Sequence, residues 1–216
     1  MSFLTGAILL ILFAWFCGSL PFGYWMGKWH GIDIRLHGSG NIGATNVLRV
    51  LGKKAGIPVF ALDMLKGLLP VLLASWWLNS KGVIGNSVAV VTVLCAAAAV
   101  LGHSFTFWLA FKGGKGVATS AGALLGLAPW ALVVALIAWL LVFFTTRYVA
   151  LASIVSAVVL PIAMAVIMTL EHKWNMVLLG LGIVLGVLVV VRHRANIQRL
   201  LQGKENRFTK KEKGKP

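Results

Sequence analysis

The chain alternates long apolar runs with short polar connections, and the runs have the length of membrane helices. About 20 mostly apolar residues are needed to cross a bilayer core. By that ruler, residues 3–26, 55–78, 83–101, 149–170 and 176–191 each predict one span. A further apolar stretch, 117–146, is too long for a single comfortable crossing and contains Ala128-Pro129-Trp130. Proline removes a backbone donor and biases the residue before it away from helix, so the stretch divides into spans at 117–127 and 130–145. The expected fold is all-α and polytopic, with seven transmembrane helices. The first run has no basic segment before it and no small-residue cleavage site after it, which predicts a retained span rather than a secretory signal.

Composition excludes the other classes. Hydrophobic residues make up 59% of the 216 and charged residues 12%, against about 25% charged in a soluble domain. A soluble chain of this size has too little interior for so much apolar surface, and a disordered one would not carry it. Cys17 and Cys95 both lie inside apolar runs, with neither metal-ligand spacing nor a disulfide framework. Neither a metal nor another cofactor is expected, and nothing points to nucleic-acid binding.

The charge pattern sets the orientation. The net charge is +15, and 17 of the 20 Lys and Arg residues fall in the connections after the first, third, fifth and seventh runs. Basic residues stay cytoplasmic, which predicts an outside N-terminus and a cytoplasmic C-terminus. With six spans, Arg147 and the basic C-terminal segment would change sides relative to the other basic connections. Seven of the nine Trp residues stand near predicted span ends, as an aromatic belt requires; Trp15 and Trp139 do not. Residues 1–207 form one domain, and 208–216 read as a basic, disordered tail drawn to anionic membrane lipid.

The remaining polar chemistry is concentrated in three islands, all on the predicted cytoplasmic side. The first, 36–49, carries Gly38, Ser39, Gly40, Asn41, Gly43 and Arg49. Glycines let backbone approach a ligand, successive N–H groups form an anion nest, and an Arg forks onto phosphate or carboxylate. In the second, 102–119, Gly113, Gly114 and Gly116 surround Lys115 just before an apolar helix. A helix N-terminus with a Lys suits an anion, but Gly116 stands where a Walker loop needs Ser or Thr, so nucleotide hydrolysis is not expected. The third, 192–205, puts His193 and Asn196 three apart on one helix face. Singly, these islands also suit a surface loop, a positive-inside loop and a basic helix end on headgroups. Together they predict a site. Asp63 and Lys66, three apart within the second run, predict a buried mutual ion pair, with a supporting role beside Arg49 as the alternative.

The three islands carry the strings GSGNIGATNVLR (38–49), GHSF with FKGGKGVAT (102–105 and 111–119) and RHRANIQRLLQGKE (192–205). Together they resemble the acyl-phosphate:glycerol-3-phosphate acyltransferase (PlsY) family of bacterial phospholipid synthesis, over essentially the whole chain. The resemblance implies a multi-pass protein of the bacterial inner membrane with its active site at the cytoplasmic face. It implies transfer of an acyl group from acyl phosphate to the 1-hydroxyl of glycerol 3-phosphate, giving lysophosphatidic acid and phosphate. Its partners would be those substrates, membrane lipid and the cytosolic enzyme that makes acyl phosphate. It assigns catalytic roles to Ser39, Arg49, Lys115, His193 and Asn196, phosphate binding to the second-island glycines, and a structural or coupling role to Glu205. Gly38, Gly40 and Asn41 join the phosphate-binding set as the nest of the first island.

The residues agree with that chemistry. Other glycerolipid acyltransferases use a His and an Asp five residues on; here those positions hold Arg35, Ile42, Trp108, Val177 and Gln198. An acyl phosphate is already activated, so holding two anions together is the main task. Arg49, Lys115 and His193 are expected on phosphate oxygens, and Ser39 and Asn196 on the acceptor. A general-base role for His193 is the sharper alternative. The donor is expected to enter laterally between helices. A carrier for organic phosphates is the rival reading, disfavoured because no internal repeat is found and few ionisable groups lie at mid-depth.

Overall fold

Every predicted apolar run is helical. The structure, a computed structural model, describes residues 2–208. Its helices are α1 (Phe3–Ser19), α2 (Phe22–Trp29), α3 (Ala44–Leu51), α4 (Lys53–Ser80), α5 (Asn86–Ser104), α6 (Val117–Leu127), α7 (Pro129–Thr146), α8 (Val149–Leu170), α9 (Met176–Arg192) and α10 (Arg194–Leu201). The break at Pro129 falls as expected, because Ala128 is extended enough to end α6 while Pro129 opens α7 without needing its missing N–H. A second break, at Leu20-Pro21, divides the first run into α1 and α2.

Span length separates the helices. Among the described residues five stretches are long and apolar enough to cross a membrane, counting Phe3–Trp29 as one, and α9 with α10 makes a sixth across a 55° bend. α6, with 11 residues, rises only about 16 Å at 1.5 Å per residue, roughly half of an apolar core. It is the helix on which the expected count of seven depends.

Glycine sets how closely the helices approach. A Cβ on Gly67 of α4 would overlap the Thr119 carbonyl of α6, and one on Gly122 of α6 would overlap the Met64 carbonyl of α4. Gly18 of α1 and Gly102 of α5 make the same backbone-to-backbone fit. Without a hydrophobic drive between lipid-exposed helices, such small-residue contacts hold a bundle together. α7 buries only Ala131 and Ala135, leaving Ile137, Leu141 and Phe144 at the outer surface.

One charged pair is inside. Lys66 Nζ lies 2.7 Å from Asp63 Oδ1, both side chains 3% exposed, and also donates to the Leu20 carbonyl at 2.8 Å. The predicted pair exists, and its near neighbour is His103 of α5, whose Nδ1 is 3.7 Å from the same carboxylate oxygen. Below it a small core of Ile34, Ile42, Val47, Ala55, Val59 and Leu109 supports the first polar island.

Candidate active site

The first island is folded around Asn46, which the sequence reading passed over. Its side-chain amide donates to the carbonyls of Ile34 (3.2 Å), His37 (3.0 Å) and Asn41 (2.9 Å), and its Oδ1 accepts the Ser39 N–H at 2.8 Å. An Asn in the first turn of a helix prefers local backbone partners to the helical ladder. That preference was the available signal. Gly38 and Gly40 sit at φ +60° and +70°, where other residues strain, and a Cβ on Gly38 would strike Asn46 Oδ1.

These contacts occupy three N–H groups of the expected anion nest. The Ser39 and Gly40 N–H groups are taken by Asn46 and by the His37 carbonyl, and the Gly43 N–H by Asn41 Oδ1. Gly38 and Gly40 are exposed and stand outside the cavity described below, so their part is to shape the turn. Ser39, Asn41 and Arg49 do face it.

The second island is bonded in a similar way. Gly113 and Gly114 donate their N–H groups to the carbonyls of Ser104 (3.1 Å) and His103 (3.0 Å). Their own carbonyls accept from the Arg192 guanidinium at 2.8–3.1 Å. With their N–H groups bonded to α5, they stand outside the lining of the cavity. Gly116, Val117 and Ala118, at the uncapped start of α6, do line it.

The third island completes the wall. Lys115 Nζ donates to Asn196 Oδ1; Asn196 Nδ2 donates to Glu205 Oε1 at 2.8 Å; and Arg199 Nε donates to Glu205 Oε2 at 2.8 Å. Glu205 is thus the acid that balances this cationic rim. His193, 3% exposed, has Nδ1 2.7 Å from the Val189 carbonyl. A carbonyl only accepts, so Nδ1 carries the proton and Nε2 is left with its lone pair.

The surroundings tune both groups. Burial first, then the nearby Lys115 charge, pushes the His193 pKa down to about 4, so the ring is neutral near pH 7. Burial chiefly pushes Lys115 down to about 8, with neighbouring arginines acting the same way and Glu205 opposing them. Arg49 is half-buried with its guanidinium 5.1 Å above the Phe208 ring.

All three islands open on one cavity of about 290 Å³. Ser39, Asn41, Arg49, Lys115, Gly116, His193, Asn196 and Glu205 form its polar end; Leu132, Ala135, Leu136, Trp139, Leu160 and Leu185 continue it as an apolar wall on α7, α8 and α9. Phe208 packs beside Arg49 of the cavity wall: its N–H donates to the Arg147 carbonyl at 3.0 Å and its ring meets Phe143 edge-on. These contacts tie Phe208, the first residue of the expected tail, to the end of α7; the remainder of that tail, 209–216, lies outside the described residues. Among the described residues no cluster of three or more His, Cys, Asp or Glu side chains could hold a metal ion.

A polar, cationic pocket leading into an apolar slot suits an amphiphile with a phosphate at one end. A family model for glycerol-3-phosphate acyltransferase matches residues 8–203. The chain belongs to the glycerol-3-phosphate acyltransferase family. It is 43% identical over 201 residues to the glycerol-3-phosphate acyltransferase of Geobacter sulfurreducens, covering 93% of this chain and 97% of that protein. Against the Aquifex aeolicus enzyme of the same name the identity is 42%, over 94% and 99% of the two chains. Two crystal structures of PlsY, an integral membrane glycerol 3-phosphate acyltransferase, match at 41% identity over 94% of this chain and 96% of theirs. The glycerol 3-phosphate form gives a TM-score of 0.84, the lysophosphatidic acid form 0.81. Family membership makes this chain a multi-pass membrane acyltransferase.

Proposed function

We propose that the chain transfers a fatty acyl group from acyl phosphate to the 1-hydroxyl of glycerol 3-phosphate, releasing lysophosphatidic acid and inorganic phosphate. The observation that carries this reading is the junction within one cavity of a cationic end, Arg49 and Lys115, with an apolar wall from α7 to α9. The relatives' names supply the acceptor class, and the acyl-phosphate donor follows from the motif resemblance.

In this mechanism Arg49 and Lys115 hold phosphate oxygens, Lys115 exchanging its Asn196 partner for substrate. Ser39 and Asn196 orient the glycerol, whose 1-hydroxyl oxygen forms a bond to the acyl carbon while the carbon–oxygen bond to phosphate breaks. Phosphate leaves with that electron pair. A bare Nε2 suits accepting the hydroxyl proton better than binding phosphate oxygens, so His193 is placed on the acceptor hydroxyl; a phosphate oxygen of the substrate is the other proton acceptor. The N–H groups of Gly116, Val117 and Ala118 are the donors placed to stabilise the developing oxyanion. Proximity of the two reactants supplies up to about 7–11 kcal/mol of barrier lowering in favourable intramolecular cases.

The topology that goes with it has seven passes, the N-terminus outside and the cavity rim cytoplasmic. α6 is the short descending half and α7 the return, which fits Arg147, at the end of α7, standing beside Phe208 and the cavity rim. The inner membrane of a bacterium is the expected site. Purified protein in detergent, given labelled glycerol 3-phosphate with either acyl phosphate or acyl-CoA, tests the whole reading. Labelled lysophosphatidic acid from acyl phosphate supports it; no product from either donor overturns it, and product from acyl-CoA alone overturns the donor.

A further inference from the structure

We propose that His103 is a positioning residue for the acyl transfer, setting the place of Lys115 through its contact with Gly114. The inference rests on the reading of the cavity as the glycerol 3-phosphate site, and concerns a residue that lines that cavity beside Asp63 and bears on Lys115 through the loop backbone.

The loop that carries Lys115 is hydrogen-bonded on two sides. Gly113 and Gly114 hang from the last carbonyls of α5, those of Ser104 and His103, and Arg192 grips their carbonyls from the other side. The contact that fixes how deep the loop sits is side chain to backbone. The imidazole of His103, 5% exposed, stands so close to Gly114 that a Cβ there would overlap Nε2, with Cε1 and Cδ2 also within 3.0 Å. No other residue type fits at 114 while the ring is in place. On its other edge the ring packs against Asp63 without a hydrogen bond. Asp63 Oδ1 lies 3.7 Å from Nδ1, on the opposite edge, and Asp63 is locked by Lys66, which is anchored on the Leu20 carbonyl.

A buried column therefore runs from the end of α1 through Lys66, Asp63 and His103 to Gly114, one residue before the cation that meets Asn196. Maintaining this pair of charges and a histidine inside a helical bundle is costly. A hydrophobic spacer would fill the same volume at less cost; the column instead provides a stiff polar strut at one defined height.

The test is a size swap. In Gly114→Ala the new methyl meets the ring and the loop is displaced; in His103→Ala the ring is gone and the loop loses its stop; in the double variant the methyl occupies the vacated space. For coupled neighbours of this kind the effects are non-additive by roughly tenfold. Gly114→Ala is expected to raise KM for glycerol 3-phosphate about tenfold or more over wild type, with kcat changed less, but by no more than about threefold over His103→Ala when made in that background. An equal factor in both backgrounds overturns the proposal. Amide hydrogen exchange over residues 112–116 reads the same coupling without substrate: His103→Ala should speed exchange there, and the double variant should slow it again. Unchanged exchange in His103→Ala also overturns the proposal, and an inactive wild-type protein would count against the reaction, not against this result. Should Gly114→Ala fail to purify, recovery of folded protein by adding His103→Ala supports the strut, and its failure to recover counts against it.

Discussion

Lys115 donates to the side-chain oxygen of Asn196, joining the loop before α6 to the helix after α9 across 81 positions of sequence. The bond holds the ammonium at the cavity wall while no phosphate is there, and Glu205 behind Asn196 keeps the pair from drifting toward solvent. A charge-assisted hydrogen bond is worth about 1.5–3 kcal/mol. Lys115→Ala is therefore expected to raise KM for glycerol 3-phosphate by about ten- to a hundredfold, read in steady-state assays of the purified protein; an unchanged KM removes Lys115 as the anchor. Because its pKa is pushed down to about 8, the charge is lost as pH rises through that value, and KM should climb above it. Lys115→Arg, which keeps its charge throughout, should flatten that climb.

His193 answers to the other end of the pH scale. With its pKa pushed down to about 4, Nε2 keeps its lone pair through neutrality and loses it only as pH falls toward that value. If this nitrogen takes the hydroxyl proton, kcat/KM, which reports the free enzyme, should fall on an acid limb that His193→Ala lacks. A limb of the same midpoint in the variant would assign the proton to a substrate phosphate. Stability moves in the same direction. The folded pKa lies below the ordinary value of 6.5, so the unfolded chain gains the proton first, and the contribution of His193 to stability is present above pH 6.5 and lost between there and about 4. The melting temperature of the wild type should fall across that window more than that of His193→Ala.

Asn46 makes the largest side-chain contribution to the first island, its two amide protons shared among three carbonyls and its Oδ1 accepting from Ser39. At about 0.5–1.5 kcal/mol per hydrogen bond, the loss of these contacts in Asn46→Ala should cost roughly 2–4 kcal/mol once partial compensation is allowed, lowering the melting temperature in detergent. Asn46→Asp keeps the acceptor for Ser39 but offers carboxylate oxygen to three carbonyls, and should be worse than Ala. Equal stability in all three proteins would mean the turn is held by its glycines alone.

What the sequence disclosed was decided by range. Span runs were legible because lipid imposes a length and an apolar content on each one separately. Proline was legible only in part: Pro129 divides a run too long for one span, whereas Pro21 breaks a run of ordinary length, and α4 and α8 stay helical past Pro58, Pro70 and Pro161. Which residue types gather at the site was also readable, since Gly and Asn stand beside basic side chains in three short stretches of an apolar chain. Which glycine N–H groups stay free was not. Gly113 and Gly114 spend theirs on α5 and Gly38 is pressed by Asn46, contacts set by tertiary packing that no local pattern announces.

The convergence of the islands makes the sharpest topological demand. Ser39, Lys115 and Asn196 all face one cavity, so the exposed residues flanking them, His37, Lys112 and Lys204, must share a side of the membrane. Lys81, in the connection after α4, must lie on the other, because α4 carries the chain across. With Cys17 and Cys95 replaced by Ala, single cysteines at 37, 112, 204 and 81 are to be labelled by an impermeant maleimide in sealed vesicles of known orientation. The first three should react together and Lys81→Cys only from the opposite face. That pattern requires an even number of crossings between 37 and 112, and again between 112 and 204, the second of which includes the half-length α6. If Lys112→Cys and Lys204→Cys were to label from opposite faces, α6 and α7 would together make only one crossing. Arg147 would then be carried away from the cavity rim, and neither the contact with Phe208 nor the shared site would survive.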